Sequence, residues 1–378
     1  MVVAARKIVF RAFAGLPASG VAAYAAMAER SDRVVMFDAI RIIATLAVIY
    51  FHSIESETLR ASGVIGRFSV AFYTLAAMIF MVRGIRRHPE RGLWDYATMR
   101  FRRLYLPFLG WSLITAGSLM LLHLFDSGTA VPAIEVDSLV TGLAPQLWFI
   151  PFILVGGIAL FPLTKLTLGE RRWELLLACA AGIVALSLDW IPWNDPPLQQ
   201  LPLVGKLLAL SWHRWSALYW GLTLAILYTR WLRGTKLSGW MACGGLGLLL
   251  VTTAYQWIYG IVPALKVCGG LGVCLLAFAP WKHVLISKLG QLAPLSFGMY
   301  MSHTLWIGTA RTLANYYGLP TCWQRDVLVF LLAVLASLLT VRILATSPMF
   351  EWLTGKESGS EIAPARGTPA RARPRLAA

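Results

Sequence analysis

The sequence predicts an all-α fold: a polytopic integral membrane helical bundle of about ten transmembrane helices, with the N- and C-termini cytoplasmic. Three observations carry this. Of 378 residues, 58% are hydrophobic and only 14% charged, whereas a soluble domain carries about a quarter charged residues. Apolar runs long enough to cross about 30 Å of hydrocarbon recur throughout. The basic residues alternate in density from one inter-run segment to the next, as they do on the two sides of a membrane.

The first run, 38–55, takes in most of "FDAIRIIATLAVIYFHS" and is nearly all apolar between Arg41 and His52. The second, 66–82, starts at Arg67 and meets a block of arginines from Arg83 onward. The third, 103–124, begins within the cluster "MRFRRLYLP", and the fourth, 146–163, contains "LWFIPFILVGG". The fifth, 173–190, follows Arg171 and Arg172, and the sixth, 213–230, ends at Arg230. The seventh and eighth, 239–258 and 264–281, nearly touch around "YGIVP". The ninth, 289–310, holds "SFGMYMSH", and the tenth is 327–347.

With the N-terminus inside, 25 of the 34 Lys and Arg residues fall on the cytoplasmic side. Arg60, Arg67, Lys206, Arg214, Arg311 and Arg325 fall on the other, and Arg41, Lys266 and Arg342 within runs. A wrong helix count would scramble that bias. Residues 1–35 read as a basic cytoplasmic segment, 36–350 as the membrane unit, and 351–378 as a disordered basic tail near anionic lipid headgroups. The net charge of +16 is split among short segments and offers no groove for nucleic acid. The five cysteines form no CxxC pair, so neither a disulfide framework nor a metal site is expected.

Charged groups within the runs carry the chemistry. Eleven helical steps return to about 20° from the start and climb about 16 Å. Arg41 and His52 therefore share one face, with Asp38 and Glu55 one turn beyond either end. Lipid does not accept such a stripe, which places it against the bundle interior or a wet cavity. The blander reading has Arg41 snorkelling to one headgroup layer and His52 sitting in the other. Arg100, Arg102 and Arg103 sit where the third run begins, with Arg100 and Arg103 at i, i+3. Arginine suits bidentate phosphate binding, although such a cluster also serves as a topological anchor. In the ninth run Ser296, Tyr300 and His303 share a face, and Gln146 and Trp148 open the fourth. Further tryptophans between the fifth and sixth runs fit an interfacial aromatic belt or sugar stacking.

The "DAIR"-to-His52 spacing, "RFRRLYLP", "LWFIPFIL" and "SFGMYMSH", in this order, resemble the acyltransferase-3 family over roughly residues 36–347. That resemblance implies a ten-helix membrane enzyme that moves an acyl group, acetyl by frequency with succinyl the alternative, from cytosolic acyl-CoA to a hydroxyl of a surface carbohydrate or lipid-linked glycan. It implies no metal, and a bacterial inner membrane as the location. On this reading Arg41, Arg100 and Arg103 hold the coenzyme phosphates, and His52 is the general base with Glu55 fixing its tautomer. Tyr300, His303 and Trp148 bind the acceptor or stabilise the oxyanion. In the second span, where many members carry a Ser-Gly-Phe-like element, this chain reads "FYTLAAMIFMV". The rivals are a membrane transporter or flippase of a glycan or lipid precursor, which would call for internal repeats, and a non-catalytic scaffold, which leaves the Arg41–His52 stripe without a use.

Overall fold

The computed structural model describes residues 35–125, 138–143, 147–190, 214–232, 238–260, 262–278 and 283–355. Among the described residues every regular element is helical. The first helix, α1 (Val35–Ser53), carries Asp38 in its first turn and His52 in its last, the arrangement the helix dipole favours. A one-turn helix at Glu57–Arg60 and a 3-10 turn at Ala61–Gly66 lead into α2 (Phe68–Arg87). Next come α3 (Leu93–Arg100), a π-helical turn at Phe101–Tyr105, and α4 (Leu106–Phe125). The chain continues through α5 (Phe149–Thr167), α6 (Arg171–Trp190), α7 (Trp215–Leu227), α8 (Ser238–Tyr259) and α9 (Pro263–Ala277). It closes with α10 (Val284–Gln291), α11 (Ser296–Tyr316) and α12 (Trp323–Thr346).

Helix α1 sits at the centre and packs against α2, α10, α11 and α12. Helices α7 and α9 flank α2, with α6 outside α7 and α8 outside α9. Phe37, Phe72, Leu75, Met78, Phe152 and Leu218 are among the side chains fully buried where these layers meet. The closest approach joins α8 to α9. A Cβ on Gly245 would stand 2.5 Å from the Gly272 carbonyl oxygen, and one on Gly272 would stand 2.6 Å from that of Gly245. Lipid supplies little hydrophobic drive between helices, so reciprocal glycines that let backbones touch replace it with van der Waals contact.

Among the described residues seven helical stretches are long and apolar enough to cross a bilayer: 35–53, 57–87, 93–121, 149–167, 171–190, 239–259 and 323–346. The other three expected runs fall on helices that differ from a simple span. Helix α7 has 13 residues and continues as a π-helical turn, Tyr228–Leu232, and α9 has 15. Helix α11 has 21 residues but buries Ser296, Ser302 and His303, so its polarity faces protein.

At the C-terminal boundary the described helical structure runs on past residue 351. Glu351–Thr354 forms a 3-10 turn whose Leu353 is buried, and the Trp111 indole donates 3.1 Å to the Leu353 carbonyl. The "WL" pair gives this turn enough apolar surface to dock on α4. Most of the remaining segments expected to be basic flanks, 1–34 and 356–378, lie outside the described residues, as does Gln146.

Candidate active site

Arg41 and His52 mark the two ends of the site on α1. At the Arg41 end the backbone is pinned. The Arg41 carbonyl accepts from Thr45 Oγ1 at 2.9 Å and from Tyr73 Oη of α2 at 2.6 Å. The Arg41 Nη1 lies 3.5 Å from Asp38 Oδ1, one turn back. A guanidinium carries five N–H donors, more than this one contact uses.

At the other end the His52 and His303 rings stand 5.5 Å apart, and the His303 ring is 5.6 Å from that of Tyr300. His303 Nδ1 lies within hydrogen-bond distance of the Tyr300 carbonyl, which can only accept, so in the neutral ring that nitrogen carries the proton. His303 Nε2 is then left as an acceptor, buried and without a hydrogen-bond partner among the described residues. The i, i+3 spacing on α11 makes this contact, because a side chain reaches back over the preceding turn.

Glu55 does not meet the imidazole. Its carboxylate forms an ion pair with Arg311 Nε at 3.0 Å and accepts from Arg325 Nη2 at 3.1 Å. Arg311 Nη2 in turn donates 2.8 Å to the His52 carbonyl. Beside them the buried Asp326 carboxylate accepts from the Ser56 N–H at 2.9 Å and the Glu55 N–H at 3.2 Å. The turn after α1 is thus clamped to α11 and α12, and Glu55 reaches His52 through Arg311 rather than by touching the ring. The sequence reading missed this because the partners are some 260–270 residues away. The only sequence signal was a pair of arginines on the sparsely charged side.

Three cavities lie in series through the bundle. The first, about 300 Å³, is lined by His52, Trp148, Phe149 and Tyr300, together with Arg67, Arg214 and Lys266. The second, about 180 Å³, is lined by Arg41, Arg100, Tyr73, Ala76, Ala77 and, again, Phe149 and Tyr300. The third, about 200 Å³, shares Arg100 and Phe80 with the second and adds Arg91 and Arg103. Tyr73, Phe149 and Tyr300 have ring centroids 6.1–6.4 Å from one another, an aromatic neck between the first two chambers. His303, fully buried, is set one layer behind the wall that His52 and Tyr300 form.

The arginines of "MRFRRLYLP" sit at the other end of this series. Arg100 closes α3 and Arg103 lies in the π-helical turn, a geometry frequent at functional sites. The Arg100 guanidinium stands 5.6 Å from the Tyr96 ring, while its Nε and Nη2 are buried without hydrogen-bond partners among the described residues. Arg103 is exposed. Buried donors without a partner among the described residues call for an explanation, and water or an anion is one such partner.

A helical membrane bundle with an imidazole on one chamber and guanidinium groups along the whole line of chambers is compatible with a membrane transferase or a transporter. The comparisons decide between them. The family model of the acyltransferase-3 domain matches residues 35–345, and the chain belongs to that family. It is accordingly a membrane acyltransferase. Compared with the curated proteins and with the solved structures, the chain matches none.

Proposed function

We propose that the protein moves an acyl group, acetyl in the first instance, from cytosolic acyl-CoA to a hydroxyl of an extracytoplasmic or lipid-linked carbohydrate. One observation carries the reading: the chamber with Arg41 and Arg100 and the chamber with His52 share Phe149 and Tyr300 as a common wall. A donor held by its phosphates at one end can therefore present its thioester to an acceptor at the other. The reading takes the chain as ten membrane crossings in a bacterial inner membrane, with both termini cytoplasmic. It treats 36–350, extended through the docked turn to 355, as the catalytic unit and the basic flanks as lipid-facing.

In this mechanism Arg100, Arg103 and Arg41 bind the coenzyme phosphates, and the thioester reaches the aromatic neck. His52, which lines the outer chamber, removes the proton from the acceptor hydroxyl. The oxygen attacks the thioester carbonyl, the C–S bond breaks, and the coenzyme thiolate leaves with the proton from the imidazolium. The Tyr300 hydroxyl supports the developing oxyanion, and Trp148 offers a face to the sugar. His303 and Glu55 act as positioning residues. His303 packs against His52 from behind, and Glu55 holds Arg311 on the His52 backbone.

The test is mass spectrometry of the host's surface glycans with and without the chain. The expected outcome is the loss of one acetyl or succinyl unit per modified sugar. An unchanged profile together with glycan movement by purified protein in liposomes, without acyl-CoA consumption, would favour a flippase instead.

A further inference from the structure

The outer chamber carries more positive charge than deprotonating a neutral sugar requires. Arg67 at the start of α2, Arg214 at the start of α7 and Lys266 of α9 all line it, with His52, and no carboxylate does so among the described residues. Among the described residues Glu55 is held by Arg311 and Arg325, and Asp189 accepts from the Trp220 indole at 3.2 Å. The guanidinium groups are oriented by aromatic faces, Arg214 4.4 Å over Trp148 and Arg67 5.1 Å over Phe51. Arg67 Nε is buried with no hydrogen-bond partner among the described residues. Three cations around one cavity at membrane depth repel one another and are costly to desolvate. An anion inside the cavity removes both penalties.

Resting on the reading of this cavity as the acceptor chamber, we propose that it binds its acceptor by a phosphate ester, as a glycosyl phosphate, within reach of the hydroxyl that His52 deprotonates. Two guanidinium forks and an ammonium match a dianionic, multi-oxygen phosphate better than a single carboxylate. A volume of about 300 Å³ is at the small end of ligand pockets and suits one sugar ring with its phosphate. The source of that phosphate, a lipid-linked sugar or a soluble sugar phosphate, leaves the chemistry of the chamber the same.

The test uses the full chain in phosphatidylcholine nanodiscs with glucose 1-phosphate as probe, titrated calorimetrically with coenzyme A saturating the donor site. Arg67→Gln and Lys266→Gln are each expected to weaken binding at least tenfold, while Arg67→Lys and Lys266→Arg lose less than threefold. Glucose is not expected to compete, and glucuronate is expected to bind more weakly than glucose 1-phosphate. Tighter transfer to a lipid-linked sugar phosphate than to the soluble one would identify the lipid as the source of the phosphate. Binding unaffected by both Gln variants, binding abolished by coenzyme A, or glucuronate as the tighter ligand would overturn the proposal. Loss of all acyl transfer with glucose 1-phosphate binding intact would instead count against the acyltransferase reading and leave the anion site standing.

Discussion

Replacing Arg100 with Gln separates a donor-binding arginine from a topological anchor. The side chain's Nε and Nη2 are buried and unpartnered among the described residues, and its aromatic contact is with Tyr96 at 5.6 Å. The variant therefore loses no ion pair among the described residues, and the expected stability change is that of a cation–π contact, about 0.5–1 kcal/mol. A charge-assisted hydrogen bond to a phosphate is worth about 1.5–3 kcal/mol, which is roughly 10- to 150-fold in affinity. The phosphates sit far from the reacting carbonyl, so the loss falls on KM for acyl-CoA and leaves kcat nearly unchanged. Arg100→Lys keeps the charge without the fork and falls between the two. The assay is transfer from labelled acetyl-CoA in membranes matched for protein level, with the donor titrated. A KM that does not move in Arg100→Gln refutes the assignment of this end to the donor.

Other substitutions probe the remaining parts. Glu55→Gln should lower kcat several-fold with little change in donor KM, because Arg311 loses its carboxylate and its grip on the His52 carbonyl weakens; kinetics at matched expression check this. Ala77→Leu narrows the chamber of about 180 Å³ and should reduce succinyl transfer more than acetyl transfer, measured as a ratio of rates with the two donors. Gly245→Ala places a Cβ 2.5 Å from the Gly272 carbonyl and should cost about 1–3 kcal/mol by overpacking, seen as a lower unfolding midpoint of the purified protein.

How much of this was legible in the sequence depends on the distance over which each signal acts. The helices were legible because apolar length is local, and the Arg41–His52 face was legible because it needs only the helical repeat. The location of Arg100 beside Arg103 on one chamber follows the same short-range spacing. The ion pairs of Glu55 were not legible because its partners Arg311 and Arg325 approach only after α11 and α12 have packed on α1. In the sequence Arg67 and Arg214 count only as charges of the sparsely basic side, a one-dimensional assignment that cannot show three separate elements turning their cations into one cavity. Lys266 did carry a signal, as an ionisable group inside an apolar run, but its two companions came only with the packing of α2, α7 and α9.

The central claim is that a donor and an acceptor entering from opposite ends meet beside the His52 imidazole. The most direct measurement is acyl transfer from acetyl-CoA by His52→Ala in membranes that contain normal amounts of the protein. Loss of a general base is expected to lower the rate by about 10²- to 10⁴-fold while acetyl-CoA binding persists. A variant that transfers acyl groups at the unaltered rate would contradict the account.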